Sequence, residues 1–216
     1  MSRSKRKINR RFRVFCEGDT EYNYFEYIRK NKLISLVLKP VNMHGGGYSN
    51  FLDEVKSDSN TDCLAKFVVI DGDRAVKTEE EKRSLRELAN YCIRQNQSKR
   101  IPHFLIVDFP DFEYVACLHC ENYKGGLVEN FIKKELKYKS VEAFKSDVNV
   151  YQKLNSGKNS NKSNNIREAK RNSIVVNHFK TNKTTYEILA ESFFIEENIG
   201  KKGTNFIDFF EIVESV

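Results

Sequence analysis

The chain has no tryptophan, and only three prolines and ten glycines among its 216 residues. That scarcity excludes collagen-like repeats and Pro/Gly-rich low-complexity chain. No run of 18 or more apolar residues occurs, so no membrane-spanning helix is expected. Five cysteines are an odd number for a secreted disulfide framework, and a reducing cytoplasm is the expected setting. The basic N-terminus has no apolar stretch behind it and does not read as a secretory signal. A Walker A lysine motif is also missing, which argues against ATP hydrolysis by the P-loop route.

What is present suffices for a folded core. Hydrophobic residues make up 39% and aromatics 12%, against 31% charged, a balance that argues against wholesale disorder. The length suits one domain with room for a decorating subdomain. Charge is unevenly spread. Arg3, Lys5, Arg6, Lys7, Arg10, Arg11 and Arg13 precede the first acid and account for the whole formal net charge of +7. Such an arm either neutralises nucleic-acid phosphates or merely solubilises a terminus. A second polar, basic stretch over 153–171, through NSGKNSNKSNN, reads as a loop near 155–165.

Alternating patterns predict strands at 12–16, 36–41, 67–70 and 103–107. Helices are expected at 19–30, 49–56, 78–95 and 111–120, with Thr78 capping the clearest of them. Four more are expected at 126–137, 141–154, 165–179 and 206–213. The β–α alternation predicts an α/β fold with a mostly parallel sheet of about four strands flanked by helices. Residues 1–11 would form the arm, 12–122 the core and 123–216 a mostly helical C-terminal extension.

Two segments carry the chemistry. FRVFCEG ends its strand at Glu17, and FVVIDGD ends at Asp71 and Asp73. Side chains at i and i+2 of an extended chain point the same way, and the carboxyl ends of parallel strands line the ligand crevice of open α/β sheets. If the two strands are neighbours, three carboxylates converge, and their repulsion calls for a divalent cation, Mg²⁺ or Mn²⁺. The plainer reading is that these acids cap helices and turns. Cys117 and Cys120 form a CxxC around His119 without a second ligand pair at zinc spacing, so packed thiols are expected there rather than zinc. Gly45 to Gly47 reads as a turn rather than a phosphate cradle.

Glu17 opens the segment EGDTEYNYF, and DFPDFEYVACLHC follows the fourth strand with Pro110, Phe112, Glu113 and His119. With the DGD of Asp71 and Asp73, this order resembles the Toprim domain and, more closely, the RloB-like family of bacterial proteins. The resemblance covers roughly residues 10–175. This chain departs from the family's usual pattern at Phe109 before the proline, at Val115 in the following helix and at Gly72 between the two aspartates.

The resemblance implies a Toprim-like core and a role in phage defence beside a separately encoded ATPase. It implies a Mg²⁺- or Mn²⁺-dependent nuclease that cuts RNA, tRNA included, to arrest growth. It carries over Glu17, Asp71 and Asp73 as metal-site residues, Glu21 as the second acid of its pattern, and Glu113 and His119 from the later motif. Glu17 would be a metal ligand or general acid/base, and Arg74 could hold a phosphate. His119 is either a proton donor or a core residue. Two alternatives stay open: another phosphoryl transfer, such as DNA cleavage, on the same site, and a non-catalytic regulator of the ATPase. No membrane partner is expected, and a homo-oligomer is compatible with the pattern.

Overall fold

The computed structural model describes residues 11–31, 36–40, 47–98, 100–155, 164–181 and 188–215. Along the chain run β1 (Phe12–Cys16), α1 (Asp19–Lys30), β2 (Leu36–Pro40), α2 (Gly47–Ser57), β3 (Ala65–Asp71), α3 (Glu79–Gln97), β4 (His103–Phe109) and α4 (Phe112–Leu118). Then follow α5 (Val128–Lys134), α6 (Val141–Lys145), α7 (Val150–Asn155), α8 (Asn164–Ala169), β5 (Val175–Thr181), β6 (Ile188–Phe194), β7 (Gly203–Thr204) and α9 (Ile207–Ser215).

The strand order is β2-β1-β3-β4-β7, parallel except for β7. The expected α/β architecture is therefore present, with a two-residue fifth strand added at the edge. Central strands of a parallel sheet are covered on both faces and read as near-continuous apolar runs, as AKFVVID does in β3. Its Ala65, Phe67 and Val69 face a core shared with α1, α4 and α9, while Val68 and Ile70 face α2 and α3. The first core is built on aromatic edges. Tyr24 meets Phe112, Tyr151 and Phe206 at centroid distances of 5.4, 4.6 and 5.3 Å, all edge-on. Tyr151 and Phe206 come from the C-terminal extension and complete this core.

Two helical expectations change. The helix expected over 165–179 stops at Ala169, and Val175–Thr181 pairs antiparallel with Ile188–Phe194. The reason is local: in VVNHFKT, Val175 and Asn177 turn inward while His178 and Lys180 face out, the period-two pattern of a half-buried strand. The helix expected over 141–154 breaks into α6 and α7 at Ser146 to Asn149, where Asp147 accepts from the Asn149 amide at 2.9 Å and turns the chain. The polar loop expected near 155–165 lies largely outside the described residues, at 156–163.

The edge of β4 is completed by side chains. Asn205 accepts from the Val107 amide at 2.9 Å and donates to the Leu105 carbonyl at 2.8 Å, as a neighbouring strand would. Asn177 donates to the same carbonyl at 3.0 Å. Buried backbone groups need such partners.

Gly72 has a steric explanation. A Cβ there would lie 2.9 Å from the Phe109 ring and 3.2 Å from both Ile174 and Val107. Gly72 and Phe109 are thus touching positions, and the ring fills the space a side chain at 72 would need. Gly72→Ala is expected to destabilise the protein by about 1–3 kcal/mol through overpacking, and adding Phe109→Val should recover part of that loss. Equal losses in the single and double variants, by chemical denaturation, would contradict this packing account.

Candidate functional site at the carboxyl ends of the strands

β1 and β3 are neighbours, paired from Phe12 with Ala65 to Cys16 with Val69. Their carboxyl ends therefore lie side by side, as the metal-site expectation requires. Glu17 is the first residue past β1, and its Oε2 accepts the Asp71 amide hydrogen at 2.9 Å. Asp71 ends β3 and turns its Oδ1 to the Phe112 amide, also at 2.9 Å. Its carbonyl accepts from the Tyr48 hydroxyl at 2.7 Å. Glu21 sits in the first turn of α1, 2% exposed.

Asp73 lies past the end of the strand, and its charge still acts on Glu17 and Asp111. The extended backbone ends at Asp71, and Asp73 opens a 3₁₀ turn over Asp73–Val76. The i, i+2 rule therefore stops applying one residue too early. Asp73 keeps a side-chain exposure of 41% and pairs with Lys77 at 2.6 Å. His119 is fully buried at the end of α4, its ring 5.5 Å from that of Tyr24 in the aromatic core. Glu113 is 1% exposed and pairs with Lys145 at 3.1 Å. Arg74 stands at the rim between Glu17 and Glu81, 3.7 and 3.4 Å away.

Sequence reading missed several participants. Asp108 pairs in register with Asp71 on β4, is fully buried, and accepts from the Thr204 hydroxyl through Oδ1. Its Oδ2 has no hydrogen-bond partner among the described residues. A lone acid in the apolar run HFLIVDF was the available signal. Asp111 caps α4 through the Tyr114 amide. Lys145 carries no sequence signal, being brought in by α6 from the extension. Gly47 has φ +55° and opens α2, where the Glu81 carboxylate occupies the space a Cβ would take and accepts from the Tyr48 amide at 3.2 Å. A protein carboxylate fills that helix terminus, in keeping with a turn rather than a phosphate cradle; Gly45 and Gly46 lie outside the described residues.

The electrostatics share one cause. Burial raises Asp71 well above the usual carboxylate range, and repulsion from Glu21, Glu17 and Glu113 adds to it. Burial raises Glu21 to about 8, with Glu17, Glu113 and Asp108 adding repulsion. Asp108 reaches about 8 by burial, and Asp111 about 6 by burial with Glu113 beside it. Glu17 is also raised by burial, held back by the Asp71 amide and Arg74. Arg74, Lys77 and Lys145 are cations paired with members of this cluster.

Every donor in this cluster is a hard carboxylate oxygen, the chemistry of Mg²⁺ or Mn²⁺ sites. Among the described residues, no three His, Cys, Asp or Glu side chains are gathered so that they could hold a metal ion by themselves. Mg²⁺ commonly takes only one or two carboxylates and completes its shell with water and phosphate. Glu17 and Asp71, at adjoining strand ends, are the acids that would hold such an ion.

The remaining expected sites lie elsewhere. Residues 3–10 of the basic arm are outside the described residues. The arm's root is at the amino end of β1, the opposite pole from the cleft; Arg11 there is exposed and 3.7 Å from Asp62. Cys117 and Cys120 are free, buried thiols raised by burial. No helix among the described residues is long and apolar enough to cross a membrane.

Residues 12–208 match the family model described as RloB-like protein. No curated protein and no solved structure matches the chain.

The raised carboxyls set a pH dependence. Held near 8 when folded and near 4 when unfolded, they favour folding in the protonated form. Their contribution is full below about pH 4 and is lost as the pH rises through about 8. In EDTA, the melting temperature should therefore fall from about pH 5 to about pH 8. Asp108→Asn should flatten that fall and gain at least about 1 kcal/mol at pH 8 relative to wild type. An unchanged slope would contradict the assignment.

Proposed function

The chain belongs to the RloB-like family, and from that premise and the carboxylate cleft we propose that it is a Mg²⁺- or Mn²⁺-dependent nuclease. Its substrate is RNA, with tRNA favoured over DNA, and its role is that of a growth-arresting effector in anti-phage defence, beside a separately encoded ATPase. The observation that carries this reading is the bond between Glu17 and the Asp71 amide, set among other acids.

Glu17 and Asp71 would hold the ion, and Asp73 joins them if Lys77 releases it. When bound, the ion would polarise the phosphodiester and acidify the attacking water. Arg74, with a side-chain exposure of 32%, is placed to exchange a carboxylate for a substrate phosphate. Glu21, protonated up to about pH 8, is the group able to pass a proton near neutrality. Glu113, locked to Lys145, positions the opening turn of α4 beside Asp71. Fully buried His119 has no part in this scheme.

A cleavage assay tests the reading on total tRNA, messenger RNA and single- and double-stranded DNA, with Mg²⁺, Mn²⁺ or EDTA. The expected result is metal-dependent cleavage of RNA that falls about 100-fold or more in Glu17→Gln and Asp71→Asn, with His119→Asn retaining activity in proportion to its folded fraction. Metal-dependent cleavage of DNA alone would replace the substrate. Absence of cleavage together with a partner ATPase that responds equally to wild type and Asp71→Asn would replace the enzyme with a regulator.

A further inference from the structure

The opposite pole of the sheet carries the reverse charge. Arg13, Lys66 and His103 stand in one row, Arg13 in register with Lys66 and Lys66 with His103. They are 6%, 4% and 4% exposed. Like charges directly abreast in a sheet repel, and a single acid separates them. Asp58 takes Arg13 at 2.7 Å on Oδ1 and Lys66 at 3.0 Å on Oδ2, while its carbonyl accepts from Lys66 at 2.7 Å. Among the described residues, one carboxylate between two buried cations leaves positive charge uncompensated, and the Arg13 Nε has no hydrogen-bond partner. Buried charge of that kind is costly until an anion balances it.

A cavity of about 730 Å³ opens on this row, lined by Lys66, Asp58, His103, Tyr91, Lys56 and Arg100. That size falls within the ~300–1,000 Å³ typical of small-molecule sites. His103 lies 2.8 Å from the Ile101 carbonyl through Nδ1, so that nitrogen carries the ring hydrogen and Nε2 is left as an acceptor with no hydrogen-bond partner among the described residues. A lone-pair acceptor repels a bare oxyanion and calls for an N–H. Tyr91 supplies an aromatic wall, and Lys56 and Arg100 supply phosphate-binding charge.

We propose that this cavity binds a nucleoside phosphate, either free or as the terminal nucleotide of a nucleic-acid strand. The phosphate meets Lys56 and Arg100 with the Arg13–Lys66 charge behind them, the base lies against Tyr91, and a base N–H donates to His103. β1, β3 and β4 separate this site from the carboxylate cleft by their own length, roughly 17–23 Å at ~3.3 Å per residue. The two sites therefore do not compete, and the proposal stands whether or not the cleft is a nuclease.

Isothermal titration calorimetry of the full chain in EDTA tests it with ATP, GTP, AMP, inorganic phosphate and a 5′-phosphorylated tetranucleotide. The expected result is binding of at least one nucleotide with Kd below about 1 mM, at least tenfold tighter than inorganic phosphate. The double variant Lys56→Glu/Arg100→Glu and, separately, Tyr91→Ala should each weaken it at least tenfold, and Asp71→Asn should leave it unchanged. Equal affinity for mononucleotide and tetranucleotide would identify a free ligand; a tetranucleotide at least tenfold tighter would identify a strand end. The proposal is overturned if no nucleotide binds at several millimolar, if phosphate binds as well as the nucleotides, or if folded rim and Tyr91 variants, checked by circular dichroism, bind like wild type.

Discussion

The amide hydrogen of Asp71 on the Glu17 carboxylate ties the carboxyl end of β3 to that of β1, and the remaining cleft is arranged around that bond. It fixes Glu17 over the strand ends and leaves Asp71 free to turn its own carboxylate to the Phe112 amide. That second bond anchors α4, which places Asp111 and Glu113 beside Asp71. The acids come together because backbone groups hold them there, and the repulsion this creates is borne by raised proton affinity.

The sheet is polarised as a whole. At its carboxyl end Glu17, Asp71 and Asp108 lie in a cluster of acids faced by Arg74 and Lys145, while at its amino end Arg13 and Lys66 share one acid. Neither imbalance serves stability, since burying unpaired charge costs free energy that apolar residues of similar size would not. Groups that keep such an arrangement are those expected at functional sites. The aromatic core around Tyr24 supplies rigid support between the poles, and its rings come from both halves of the chain.

Much of the fold was legible because it is written in local periodicity. The strand runs ending at Cys16 and Asp71 and the capped helix after Thr78 needed only short windows. Glu17 beside Asp71 was legible once their strands were taken as neighbours. What failed depended on contacts that no window contains. Asp73 departs from Asp71 because Gly72 turns beneath Phe109 into a 3₁₀ segment. The hairpin of β5 and β6 was hidden because its partner strands lie on either side of residues 182–187, and an amphipathic helix is hard to tell from a strand in runs such as RNSIVV where apolar and polar residues mix. Lys145 and Thr204 reach the cleft from the extension, so nothing near the motifs announces them. His119 matched a motif by spacing, yet the core claims it.

The central claim is that the carboxylate cleft takes up a divalent cation. The most direct measurement is titration of the metal-free protein with Mn²⁺ near pH 7, following free ion by electron paramagnetic resonance and released protons by calorimetry in two buffers. The account predicts saturable binding accompanied by proton release, because carboxyls that hold protons near neutrality must give them up to a metal, and loss of both signals in folded Asp71→Asn. No binding at millimolar Mn²⁺, or binding that Asp71→Asn leaves intact, would contradict it.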